Sequence, residues 1–274
     1  MKNVLPLLAL GTFLLVAPKA IPSWEAVAQA AEAQVDRTPV VVELFTSEGC
    51  STCPPADALL SKLETDQPIG GAEIIGLEEH VDYWNHDGWV DSYSSPDWTL
   101  RQQEYVARFK DKSPFTPQMI VDGQREFVGN SERDAQEAIR EAAHRAKTQI
   151  SITAETPAKG DAGRFEVRVG NITGIADRDP VDVWMGITEG GLETAVKAGE
   201  NSGRNLRHAA ILRSLHKIGA VPARDSSAFV VNQQVKFKSN WNRENLRIVV
   251  FVQERKSLRI LGVASARVAK QVRQ

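Results

Sequence analysis

Cysteine is scarce in this chain: Cys50 and Cys53 are the only two among 274 residues. That scarcity excludes a scaffold held by several disulfides. An excess of charge of one sign is also missing, with 33 lysines and arginines against 35 aspartates and glutamates. With no basic run either, the electrostatic footprint of a nucleic-acid binder is absent, and no nucleic-acid partner is expected. There is no internal repeat and no low-complexity tract. No apolar run reaches the roughly 20 residues that span a bilayer, so no stable membrane span is expected.

Met1 to about Ala33 has the layout of a signal peptide, with Lys2 as a short basic start and Val4 to Ala17 as an apolar stretch. Ala28-Gln29-Ala30 and Ala31-Glu32-Ala33 both fit a small-x-small cleavage site. An uncleaved anchor is the alternative. Export, together with two cysteines confined to one C-x-x-C, points to an oxidising compartment, hence a periplasmic or secreted protein.

The cysteines close the stretch around which the rest is read, Pro39 to Leu60. Pro39 to Phe45 is a continuous apolar and β-branched run of strand length, which predicts a buried central strand. Thr46 to Gly49 break it, and Ala56, Leu59, Leu60 and Leu63 then recur at helical spacing. A C-x-x-C at the start of a helix has backbone N–H groups and the positive end of the helix dipole to favour a thiolate. Cys50 is expected to be the attacking thiol and Cys53 the resolving one. Pro54 and Pro55 fit a first helical turn but move its start toward Thr52 or Cys53, which weakens the dipole's hold on Cys50.

Further along, Ala72 to Val81 reads as a second strand, parallel to the first. Both strands then end on one edge of the sheet, which brings Glu79, His80 and Asp82 toward the cysteine loop. Trp84, Trp89, Tyr93 and Trp98 lie in or beside a loop, to cover the site or to fill a satellite core. A helix over Trp98 to Phe109, a hairpin of Gln118–Val121 and Arg125–Val128 turning at Asp122-Gly123, and a helix starting at Ser131 complete the first half. From Thr148 the texture becomes short alternating runs: Gln149–Glu155, Arg164–Asn171, Val181–Thr188, Ala228–Phe237, Leu246–Gln253 and Leu258–Ala266. These predict an antiparallel sandwich. Leu206 to Ile218 fits helix or strand, with strand favoured in that setting.

The C-x-x-C between strand and helix resembles the thioredoxin-like superfamily. Phe115-Thr116-Pro117-Gln118-Met119-Ile120-Val121 looks like that superfamily's cis-proline segment. The longer pattern ELFTSEGCSTCPPAD, HVDYWNHDGW and FTPQMIVDG, covering most of residues 38–270, is similar to a bacterial family of exported proteins of unknown function with a thioredoxin-like domain. The resemblance implies a cis Thr116–Pro117 bond beside Cys50, with Thr116 and Pro117 as substrate-binding residues. The expected organisation is a signal peptide over 1–33, an α/β thioredoxin-like domain over 38–148 and an all-β sandwich-like domain over 149–274.

The expected function is that of a thiol-disulfide oxidoreductase with Cys50 and Cys53 as catalytic residues, acting on protein thiols or disulfides in the periplasm. No bound cofactor is expected, because the cysteines carry the electrons themselves. Metal binding is the rival. Cys50, Cys53, His80 and His86 make a nominal Cys₂His₂ set, and thiolates with imidazole suit copper(I), so a periplasmic copper chaperone is one alternative. A non-catalytic thioredoxin-fold binding protein is another. His80 alone fits a tuner of Cys50, a hydrogen-bonded structural residue or a ligand. His208 and His216, among Arg204, Arg207 and Arg213, read as part of a solvated basic face.

Overall fold

Strand β1, Thr38–Thr46, runs through the interior with both faces covered, as its unbroken apolar run requires. A computed structural model describes residues 37–86, 88–110, 113–156, 161–172, 174–175, 179–222 and 227–268. The signal peptide expected over 1–33 lies outside the described residues. From β1 the chain enters helix α1, Pro54–Asp66, and returns as β2, Ala72–His80, parallel to β1 in a register from Thr38↔Ala72 to Thr46↔His80. The predicted parallel pair is thus present, and its C-terminal edge carries the end of β1 beside His80.

Helix α2, Pro96–Phe109, follows, with Ser95 as N-cap accepting from the Asp97 N–H. Strand β3, Gln118–Val121, pairs antiparallel with β1 and turns into β4, Arg125–Val128. The turn residues Asp122 and Gly123 have φ of 49° and 68°, the positive values that a two-residue hairpin needs. Helix α3 is Glu132–Ala143. Alternate residues of β1 serve two layers: Val40, Val42 and Leu44 pack with α1 and α3, while Val41 and Phe45 pack with Trp98 and Tyr105 of α2. Leu60 and Leu63 of α1 are at most 1% exposed, and burying each contributes about 1.5–3 kcal/mol. On the α2 face Glu43 is held by Arg101 at 2.7 Å and by the Tyr105 hydroxyl at 2.5 Å.

The second half consists of strands: β5 Ile150–Thr156, β6 Ala162–Val169, β7 Val181–Glu189, β8 Leu192–Ala195, β9 Asn205–His208, β10 Ile211–Val221, β11 Phe229–Lys236, β12 Leu246–Glu254 and β13 Ile260–Arg267. Leu206 to Ile218 is mostly extended but breaks at Ala209-Ala210 into β9 and β10. Four of these strands extend the sheet of the first half, giving the order β13-β12-β7-β10-β2-β1-β3-β4, while β11-β6-β5 and β8-β9 form two small sheets. The architecture is therefore a mixed α/β fold around one eight-stranded sheet, which runs unbroken across the boundary expected at 148/149. From Arg37 onward the chain is one compact unit.

The physical reason is the outer edge of β2. Its backbone groups need partners, and near the end of β2 the start of β10 supplies one: the Glu78 N–H bonds the Ala210 carbonyl at 2.9 Å, with Ile211 opposite Glu78. A two-sheet layer does exist in the second half, where Phe165, Val167 and Val169 of β6 cover Val183, Met185, Ile187, Ile248, Val250 and Val252. The intervening residues Val249 and Phe251 face the other way and pack with Trp98 of α2. Strand β12 thus serves the cores of both halves. Among the described residues no helix is long and apolar enough to cross a membrane.

Candidate functional site

Cys50 and Cys53 are joined by a disulfide with their Cα atoms 5.5 Å apart. Both side chains are buried, 1% and 0% exposed, while Ser51 and Thr52 between them are exposed. Helix α1 starts just after the pair, with Cys53 as its N-cap and the two prolines filling its first positions. Cys50 therefore sits in the turn before the helix and not at its first N–H groups. Prolines have no N–H, and the Ala56 and Asp57 N–H groups are spent on the Cys53 carbonyl at 2.8 and 3.1 Å.

Hydroxyl groups take the place of those donors at Cys50. Thr116 Oγ1 donates to Cys50 Sγ at 3.4 Å, and Thr52 Oγ1 lies 3.3 Å from the same sulfur. Trp84 Nε1–H donates to Thr116 Oγ1 at 2.8 Å, which leaves the threonine proton free to face the sulfur. The Thr116–Pro117 bond is cis, as the resemblance implied. Of the loop aromatics, Trp84 and Trp89 reach the site, Trp89 Nε1–H bonding Glu48 Oε2 at 2.8 Å, whereas Trp98 belongs to the core.

The second half of the chain grips this loop. Asn201 Nδ2 donates to the carbonyls of Glu48 and Cys50, both at 2.9 Å, and Glu200 Oε2 accepts from the Ser51 N–H at 3.0 Å. Neither residue stands out in the sequence. Both lie in a polar turn about 150 positions from the cysteines, and only the fold brings them there.

Beneath the loop lies a buried polar network. Alternation along β2 sends Glu79 to the Arg101 side, 3.5 Å away, and Glu78 and His80 to the loop side. His80 Nδ1 meets Asp91 Oδ2 at 2.6 Å, and the same oxygen accepts the Glu48 N–H at 2.9 Å. His80 thus reaches the loop through Asp91, and the contacts to the sulfur itself come from Thr116 and Thr52. His208 does not belong to a solvated face: it is 3% exposed, with Nδ1 2.6 Å from Glu78 Oε1 and Nε2 3.3 Å from Glu48 Oε1. The arginines that flank it in sequence mislead because β9 alternates, turning Arg207 outward and His208 inward.

Burial opposes charge on both imidazoles, yet Asp91 and Glu78 hold the pKa of His80 well above its ordinary value, and Glu78 with Glu48 raises that of His208 to about 9. Burial likewise pushes Glu78 up, but His208 and His80 outweigh it and keep the carboxyl low. Asp57 in α1, whose Oδ1 accepts from Thr46 Oγ1 at 2.6 Å, is raised to about 7 by burial and by Glu78.

The nominal ligand set of Cys50, Cys53, His80 and His86 does not converge. The sulfurs are bonded to each other, the ring nitrogens of His80 face Asp91 and Glu78, and His86 is exposed in a turn. Among the described residues the grouping with metal-ligand spacing is Glu78, His80 and His208.

Residues 41–253 match the family described as "Protein of unknown function (DUF1223)". The chain belongs to the DUF1223 family. Protein AGR_C_4864 from Agrobacterium tumefaciens has a similar structure, with a TM-score of 0.63 at 23% identity over 87% of this chain and 98% of that one. HBP35 of Porphyromonas gingivalis is similar with a TM-score of 0.59 at 13% identity, over 87% of this chain and 78% of its own. At these identities the likeness concerns the fold of the DUF1223 chain alone. No curated protein matches it.

Proposed function

We propose that this DUF1223 protein is an exported thiol–disulfide exchange protein with a thioredoxin-like arrangement in its first half, working in the periplasm or outside the cell. The observation that carries the reading is the Thr116 hydroxyl on Cys50 Sγ, next to a cis proline and across from a disulfide at a strand–helix junction. A partner thiolate attacks Cys50 Sγ, the Cys50–Cys53 bond breaks, and Cys53 leaves with the electron pair and takes up a proton. A second partner thiolate then attacks the partner sulfur of the mixed disulfide, and Cys50 leaves as the thiolate that Thr116 and Thr52 are placed to stabilise. Two electrons pass from the partner dithiol to the protein, which oxidises the partner, and the reverse sequence reduces partner disulfides. No organic cofactor is needed for either direction.

The near-complete burial of both cysteines favours a second reading, a binding protein that keeps its disulfide closed. Equilibration of the full chain in a graded series of reduced and oxidised glutathione, followed by alkylation and mass measurement, separates the two. Exchange requires a reversible two-thiol transition without unfolding, at a potential within the roughly −270 to −120 mV of known exchange proteins. A disulfide that opens only when the protein unfolds supports the binding reading.

A further inference from the structure

We propose that Glu78, His80 and His208 form a binding site for a divalent transition-metal ion of the zinc class, separate from the cysteines. Their candidate ligand atoms all lie within 4.8 Å of one another, and all three side chains are buried. Nitrogen and carboxylate oxygen donors in this combination suit zinc and its neighbours in the first transition row.

The orientation of the rings carries the argument. A metal-bound imidazole typically donates its other N–H to a carboxylate, which fixes both tautomer and ring direction. His80 Nδ1 faces Asp91 Oδ2 at 2.6 Å, and His208 Nε2 faces Glu48 Oε1 at 3.3 Å. Those carboxylates are themselves pinned: Asp91 accepts from the Glu48 and Tyr93 N–H groups, and Glu48 from Trp89 Nε1–H. The two remaining nitrogens, His80 Nε2 and His208 Nδ1, both aim at Glu78 Oε1, while Glu78 Oε2 is held by the Ala209 and Ala210 N–H groups.

The spacing suits an ion at the convergence point. Ligand atoms about 2.0–2.1 Å from a tetrahedral zinc lie roughly 3.3 Å apart. His80 Nε2 is already 3.3 Å from Glu78 Oε1, and the 2.6 Å between His208 Nδ1 and that oxygen must open by about 0.7 Å. Three protein ligands leave a coordination position open.

The test uses the full chain with its disulfide intact, stripped with a chelator, dialysed, and titrated with Zn²⁺ by calorimetry and with Co²⁺ by absorption. The expected result is one ion per chain and a cobalt spectrum without sulfur-to-metal charge transfer, retained in a Cys50→Ser/Cys53→Ser double variant. Glu48→Gln should weaken binding by about 10–100-fold, as loss of a carboxylate behind a ligand does, and His80→Ala and His208→Ala by more. Failure of the wild-type chain to take up a stoichiometric ion overturns the proposal whatever the variants do. So does binding that is lost with the cysteines and kept without the histidines.

Discussion

The side-chain nitrogen of Asn201 lies 2.9 Å from the carbonyl oxygen of Cys50, a hydrogen bond that ties the cysteine loop to a turn 151 residues away. Because Asn201 is fully buried and also holds the Glu48 carbonyl, its loss leaves two carbonyls short of a partner. Asn201→Ala should lower stability by about 1–3 kcal/mol and speed reduction of the disulfide. Denaturant unfolding of the oxidised protein and the rate of opening by a dithiol check both effects. A variant as stable and as slow to reduce as wild type contradicts the role given to this bond.

Thr116→Val removes one hydroxyl at nearly constant volume. In the reduced protein Cys50 then loses a donor, so its thiol pKa should rise and its alkylation at neutral pH should slow several-fold. The pH profile of alkylation is the readout, and an unshifted profile would show that the hydroxyl does not act on the thiolate.

Arg101 is the control for effects away from the cysteines. It holds Glu43 at 2.7 Å in an interior that also contains Glu79. Arg101→Met strands buried acidic groups and should cost about 3–5 kcal/mol, with the disulfide potential unchanged while the protein stays folded.

Glu64 gives a pH dependence with a definite sign. Burial outweighs Arg247, 3.0 Å away, and raises the carboxyl from an ordinary 4.5 to about 7. The folded state therefore binds a proton more readily than the unfolded chain, so this group's contribution is full below about pH 4.5 and is lost as pH rises to about 7. The decline should reach at most ~3 kcal/mol. Glu64→Gln should flatten stability over that window in denaturant titrations at stepped pH. An equal slope in the variant would contradict the assignment.

Much of the first half was legible because each element carried its own signal. The continuous run of β1 meant burial on both faces, Asp122-Gly123 meant a two-residue hairpin, and Gln118–Val121 was located to the residue. Strand alternation and turn residues also located most strands of the second half. What they could not give was pairing: nothing local says that Ile211 bonds alongside Glu78 or that β12 faces both cores. For the same reason the cysteines, Thr116 and the place of His80 were readable, while His208, Asn201 and Asp91 were not. Each of those acts through a contact made far along the chain or around a loop, and His208 was further disguised by outward-facing arginines. The helix start was readable too, because two consecutive prolines fit only a first turn and so put the start near Cys53, which is the N-cap.

The most direct test of exchange chemistry uses its asymmetry. Without Cys53 the mixed disulfide that Cys50 forms by attacking a partner disulfide has no resolving thiol within the protein and accumulates, and without Cys50 it does not form. The measurement is recovery of disulfide-linked complexes, by non-reducing electrophoresis and mass spectrometry, from periplasmic extract exposed to the Cys53→Ala and Cys50→Ala variants. The account predicts reductant-sensitive complexes with Cys53→Ala and none with Cys50→Ala. Equal trapping by both variants, or trapping by neither, would contradict it.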